Sequence, residues 1–136
     1  KAQEILAGKE MLGRAMFAAG ELDEALDVFE GLERSQPQSA QYIRMVGKIL
    51  LAQEKYDAAA GRWQQLIRGL RQNSPAWFEA WYWLLRTNFE AGGDREEIVR
   101  RIKQLRGLDE QMGSAETLAK FEKLLSELDM ASVTGN

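Results

Sequence analysis

Apolar side chains recur along this chain at intervals of three and four residues, which predicts helices over about 2–19, 22–34, 39–53, 56–71, 75–91, 94–106 and 114–129. The segment 75–91 is the most apolar of them. Trp77, Trp81, Leu84 and Asn88 form one stripe, Phe78, Tyr82, Leu85 and Phe89 a second, and Trp83 stands on a third. A helix apolar on so many sides must be packed on at least two of them, or leave part of itself for a partner. Trp81 reads as core, whereas Trp77 and Trp83 divide between core and partner-facing roles. Asn73 or Ser74 can cap this helix ahead of Pro75, which suits a first turn because its missing N–H is not needed there, and Gly92-Gly93 can end it. Gly20 and Gly107 are placed to end two other helices, and Asp94 with Glu97 has capping-box spacing. The last helix sets Leu118, Phe121, Leu125 and Leu128 along one stripe, as expected of a cap on the open end of a helical stack, and Ala131–Asn136 reads as a frayed tail.

The pattern also repeats. A shift of 34 residues superimposes Leu12 on Val46, Gly13 on Gly47, Leu22 on Tyr56, Ala25 on Ala59, Phe29 on Trp63 and Leu32 on Leu66. Glycine inside a helix costs about 1 kcal/mol against alanine, so Gly13 and Gly47 mark close helix contacts, with Ala25 and Ala59 on the facing helices. These residues resemble the tetratricopeptide repeat. In a first unit of about 6–39 they are Leu12-Gly13, Ala25-x3-Phe29 and Pro37, and in a second of 40–73 they are Val46-Gly47 and Ala59-x3-Trp63, with Arg71 where the closing proline would fall. A third unit of about 74–112 keeps Trp81 and Leu84, but Leu85 replaces the glycine and Ile98 the alanine. Gly47 to Leu85 is 38 residues, so this unit is displaced by about one turn, and its larger contact residues should hold its helices further apart. The resemblance implies one all-α domain over 1–136, an antiparallel helical-hairpin solenoid of three units and about seven helices, closed by a capping helix over 114–129.

Composition narrows the chemistry. Hydrophobic content of 45%, 29% charged residues and two prolines describe a globular all-α chain of single-domain size. The absence of cysteine and histidine removes disulfides, thiol nucleophiles, the commonest general base and nearly every transition-metal site. The acidic cluster Glu21, Asp23, Glu24 and Asp27 sits where helix-start acids stabilise the dipole. Gly92-Gly93-Asp94 links two helices and lacks the strand a phosphate loop needs. These features argue against an enzyme, and no cofactor or metal is expected. There is no run of about 18 apolar residues to span a bilayer. Lack of cysteine fits the cytoplasm and is compatible with a bacterial envelope, and the start at Lys1 rather than methionine suggests a piece of a longer protein.

Charge is unevenly spread. Residues 1–39 carry four Lys/Arg and eight Asp/Glu, while 40–73 carry six and two. Neighbouring repeats that attract one another account for this; head-to-tail association is the rival. Arg62, Arg68, Arg71, Arg100, Arg101, Lys103 and Arg106 are spread around second helices, and with a sequence pI near 5.1 they read as solvated faces rather than a nucleic-acid surface.

By the resemblance, function lies on a concave face lined by the first helix of each hairpin, which binds a segment of another protein. The residues placed there are Arg14 and Phe17, Arg44 and Lys48, and Tyr82, Trp83, Arg86 and Phe89, together with Glu10, Met45 and Leu51. Arg14, Lys48 and Arg86 each follow the glycine or its replacement, and this recurrence suits an extended, acidic segment with some apolar side chains. Glu10, Met45, Glu79 and Trp83 stand where the chaperone-tail-binding subgroup would need its lysine-asparagine clamp, which argues against that clamp. The expected role is therefore a binding module or scaffold. The alternative is a self-associating structural domain, a homo-oligomer in which the aromatic helix meets a second copy.

Overall fold

The computed structural model describes residues 1–134, with side chains through Met130. Seven α-helices follow one another, and no strand occurs among the described residues: α1 (Ala2–Ala18), α2 (Leu22–Ser35), α3 (Ala40–Ala52), α4 (Tyr56–Gly69), α5 (Pro75–Glu90), α6 (Arg95–Leu108) and α7 (Ala115–Thr134). None is long and apolar enough to cross a membrane. The chain divides into two compact units, Lys1–Arg62 and Trp63–Asn136, with the division falling inside α4.

Local chemistry accounts for the helix ends. Ser39, Ser74 and Ser114 each accept a hydrogen bond from the N–H three residues on, at Tyr42, Trp77 and Thr117, so Ser74 rather than Asn73 caps α5. Asp94 accepts from the N–H groups of Glu96 and Glu97, whereas the Glu97 carboxylate turns to Arg100 instead of closing the capping box. The C-terminal turns of α1, α3 and α5 share one geometry. Gly20, Glu54 and Gly92 have φ of +81°, 62° and +86°. Their N–H groups donate to the carbonyls of Phe17, Leu51 and Phe89, while the next N–H donates to Met16, Leu50 and Asn88. This is the Schellman arrangement three times over. Its spacing, 34 residues and then 38, is the offset seen in the side-chain pattern.

In the first unit α1 and α2 pack closely and α3 lies against α2. A Cβ on Gly13 would stand 2.6 Å from the Phe29 ring and 3.1 Å from Val28, so the glycine is there to admit that aromatic. Ala25, Phe29 and Leu32 are buried beside it.

In the second unit α6 and α7 both pack on α5. The core joins Trp77, Phe78, Tyr82 and Leu85 to Ile98, Ile102 and Leu105 of α6 and to Phe121, Leu124 and Leu128 of α7. Backbones of α5 and α6 approach at fewer positions than those of α1 and α2, as Leu85 and Ile98 in place of glycine and alanine require. The buried face of α7 is rotated from the expected stripe: Leu124 is fully buried, whereas Leu118 and Leu125 are half-buried. The helix also continues past Asp129 to Thr134; of the expected tail, Gly135 and Asn136 lie outside the described residues.

One correction concerns the connection before α7. Gly107 lies inside α6, which runs to Leu108, and does not form the expected helix-ending turn. The left-handed residues are Met112 and Gly113 (φ 51° and +91°). The Asp109 carboxylate organises them by accepting from the N–H groups of Gln111 and Gly113. Met112 is fully buried, and Gly113 lies against Pro75 and Phe78.

Candidate functional site

Two faces gather the residues expected to bind a partner, one in each unit. In the first unit, side chains tie α1 to α3 alongside. The Tyr42 hydroxyl donates to Glu10 at 2.6 Å, and Gln41 Nε2 donates to the other Glu10 oxygen at 3.2 Å. Arg14 is exposed; its guanidinium reaches the Met45 sulfur at 3.7 Å and lies 6.0 Å from the Phe29 ring centre. Such contacts to a thioether and, at this distance, to a ring face are weak beside a carboxylate pair, so Arg14 keeps most of its capacity to bind an anion. Phe17, Arg44 and Lys48 are half-buried.

The hydrogen bond to Glu10 is the main reason the Tyr42 phenol is pushed up from 10.0 to about 12, with burial and the Glu10 charge adding and Arg14 opposing. Because the folded value is raised, this contribution to stability is complete below the unfolded pKa and is lost as pH rises through the window from 10.0 to about 12. Absorbance titration of the tyrosines should show a late phase, the Tyr42 share of which Tyr42→Phe removes and Glu10→Gln moves to lower pH, leaving the share of Tyr82 in place. An unchanged late phase in Glu10→Gln would show that the carboxylate is not its cause.

The face of the second unit is held differently. Arg86 on α5 donates through Nε to Glu90 at 2.7 Å and through Nη1 to Glu127 of α7 at 2.8 Å. The bond from Arg86 holds the Glu127 carboxyl below its ordinary range, and Glu127 raises Arg86 in turn. Two carboxylates of its own chain therefore occupy the guanidinium fork, which clamps α5 to α7. Tyr82 is buried; its ring meets Phe121 of α7 edge-on at 5.5 Å and Trp83 at 5.1 Å, and burial raises its phenol. Phe89 is half-buried, with the Arg86 guanidinium 5.9 Å from its ring centre.

Trp83 belongs as much to the core as to this face. Its ring stacks on Trp63 at 5.8 Å, and its indole nitrogen is buried. Trp63 Nε1 donates to the Thr87 hydroxyl at 3.0 Å, which donates to the Trp83 carbonyl at 2.7 Å. Trp77 is more buried than Trp81; Arg101 lies 4.9 Å above the Trp81 ring. Much of the apolar surface of α5 is thus consumed within its own unit.

Two participants on the second face, Lys120 and Glu127, escape a sequence reading. Lys120 pairs with Glu79 at 3.6 Å and lies 5.5 Å from the Trp83 ring centre, while Glu127 holds Arg86. Taking α7 as a cover alone obscures that it lies beside α5 with its polar edge as α3 lies beside α1. The available signal was the charge at Lys120 and Glu127, seven residues apart on one side of that helix. Neither the models of known protein families nor the sequences of curated proteins match this chain.

Proposed function

We propose that this chain is a protein-interaction module of the tetratricopeptide-repeat kind, a helical-hairpin solenoid that takes up an acidic, partly apolar segment of another protein. The observation that carries this reading is the α1–α3 face, where Arg14 is exposed and makes no ion pair among the described residues, beside the polar Glu10–Tyr42–Gln41 network. The recurring Schellman turns and the close approach of Gly13 to Phe29 support the repeat assignment. The face is built by regular helices, so its side chains are presented with little ordering left to occur on binding. Because Arg86 is engaged by Glu90 and Glu127, recognition of carboxylates centres on Arg14, with Arg44 and Lys48 on the neighbouring helix and Phe17 as the apolar contact.

Selection from a random peptide-display library tests this whatever the natural partner is. Enriched peptides should combine Asp or Glu with apolar residues and bind less well as salt is raised. Arg14→Glu with Lys48→Glu should abolish their capture while helicity and melting stay intact. Unaltered capture by that double variant would dispose of the basic face.

A further inference from the structure

Glu10 and Arg14 stand four residues apart on α1 with the acid first, the order in which a helix pairs opposite charges best. On α5 the cation at the equivalent place, Arg86, does pair along its own helix, with Glu90 at 2.7 Å. Arg14 and Glu10 do not. Both Glu10 oxygens are taken from α3 instead, Oε1 by the Tyr42 hydroxyl at 2.6 Å and Oε2 by Gln41 Nε2 at 3.2 Å, while the Arg14 guanidinium turns to the Met45 sulfur at 3.7 Å.

The donors on α3 are well placed to hold that carboxylate. Tyr42 is 4% exposed, its ring lies 6.5 Å from that of Phe29, and its backbone N–H is bound by the Ser39 cap, so its hydroxyl has little freedom. Neither Tyr42 nor Gln41 is charged, so Glu10 is satisfied without a cation. One helix therefore parts the two charges: Tyr42 and Gln41 draw the acid aside, and Met45 receives the base. A thioether contact is readily given up to an incoming carboxylate, whereas a carboxylate pair is not.

We infer that Tyr42 and Gln41 are positioning residues of the α1–α3 face: by holding Glu10 they keep it out of a pair with Arg14 and leave the guanidinium open to a carboxylate of the bound segment. The inference rests on the reading of that face as the binding surface. Released from α3, Glu10 becomes a tethered competitor, one turn away and at an effective concentration that a free peptide does not reach.

The test joins Tyr42→Phe, which keeps the ring, to Gln41→Ala at an exposed position, and repeats the pair in a Glu10→Gln background. The probe is an acidic peptide enriched by display on the wild-type protein, followed by fluorescence anisotropy, with circular dichroism as the check on the fold. Affinity should fall about two- to fivefold where Glu10 is kept and stay unchanged in the Glu10→Gln background. Without peptide, the Arg14 Nε–H signal in NMR, assigned by its loss in Arg14→Lys, should exchange its proton more slowly in the Tyr42→Phe, Gln41→Ala variant and return to wild-type behaviour once Glu10→Gln is added. Gln41→Ala alone leaves the packing of Tyr42 untouched and should give part of both effects. An equal loss of affinity in the two backgrounds overturns the inference, because Tyr42 and Gln41 would then touch the peptide or act through packing. So does an Arg14 signal indifferent to Glu10, and this arm decides the matter even if selection yields no acidic sequence. Capture that Arg14→Glu with Lys48→Glu abolishes and the Tyr42→Phe, Gln41→Ala variant leaves unchanged overturns the positioning role alone; capture indifferent to both overturns the reading of the face itself.

Discussion

Gly113→Ala should destabilise the Trp63–Asn136 unit by about 2–5 kcal/mol, although it adds only one methyl group. Two costs combine. At φ +91° the backbone is in a region that L side chains rarely adopt. The added Cβ would also lie 2.9 Å from Pro75 Cα and 3.1 Å from Phe78 Cβ and its ring. Phe78 is fully buried and Pro75 opens α5, so neither can retreat without moving the helix on which α6 and α7 pack. Gly92 is the internal control, with φ +86° and open space around it. Gly92→Ala should show the conformational cost alone, roughly 1–2 kcal/mol. Urea unfolding followed by circular dichroism measures both. Equal losses in the two variants would mean that Gly113 does not pack against α5.

Trp63→Ala should cost about 3–5 kcal/mol, more than the same change at Trp81. Trp63 is fully buried, stacked on Trp83 and hydrogen-bonded to a Thr87 that is itself 1% exposed. Truncation therefore opens a large cavity and leaves the Thr87 hydroxyl without its donor. Trp63→Phe should recover much of the packing while still lacking the bond. Trp81 is only half-buried, and its ring is partly covered by Arg101, whose mobile side chain can follow the change. The comparison needs circular dichroism, because each variant removes a fluorophore. A larger loss for Trp81→Ala than for Trp63→Ala would reverse the assignment of which indole organises the core.

The two faces differ in what binding can ask of them. Arg14 makes no ion pair among the described residues and lies at the surface, so in the proposed role an incoming carboxylate meets a cation whose present contacts are water, a weak thioether contact and the Phe29 ring. At Arg86 the same carboxylate would displace Glu90 or Glu127, exchanging one charge-assisted bond for another with little gain. Reversal of charge at Arg86 should therefore disturb the α5–α7 contact before it disturbs partner capture. The three recurring cations of the sequence pattern are equivalent in register and different in use.

What the sequence determined by itself is what a few neighbouring residues can enforce. Serine and aspartate caps at Ser74 and Asp94, glycine turns at Gly20 and Gly92, the helical period and the 34-residue recurrence depend on patterns within the chain itself, and all were legible before any packing was known. Even Glu54, whose side chain gives no hint of a turn, takes its left-handed conformation at the place the recurrence assigns. The tertiary structure decided whatever depended on a partner distant in the chain. It chose Phe29 as the neighbour of Gly13, Glu10 as the acceptor for Tyr42, Glu127 for Arg86, and Thr87 for Trp63. It also rotated α7 to bury Leu124 and put the backbone reversal at Met112–Gly113 rather than Gly107, because contact with α5, not local propensity, sets the free energy there. For the same reason α1 and α3 share a pattern and differ in burial: the residues specify a stripe, but only the presence of a covering helix decides whether it is core or surface.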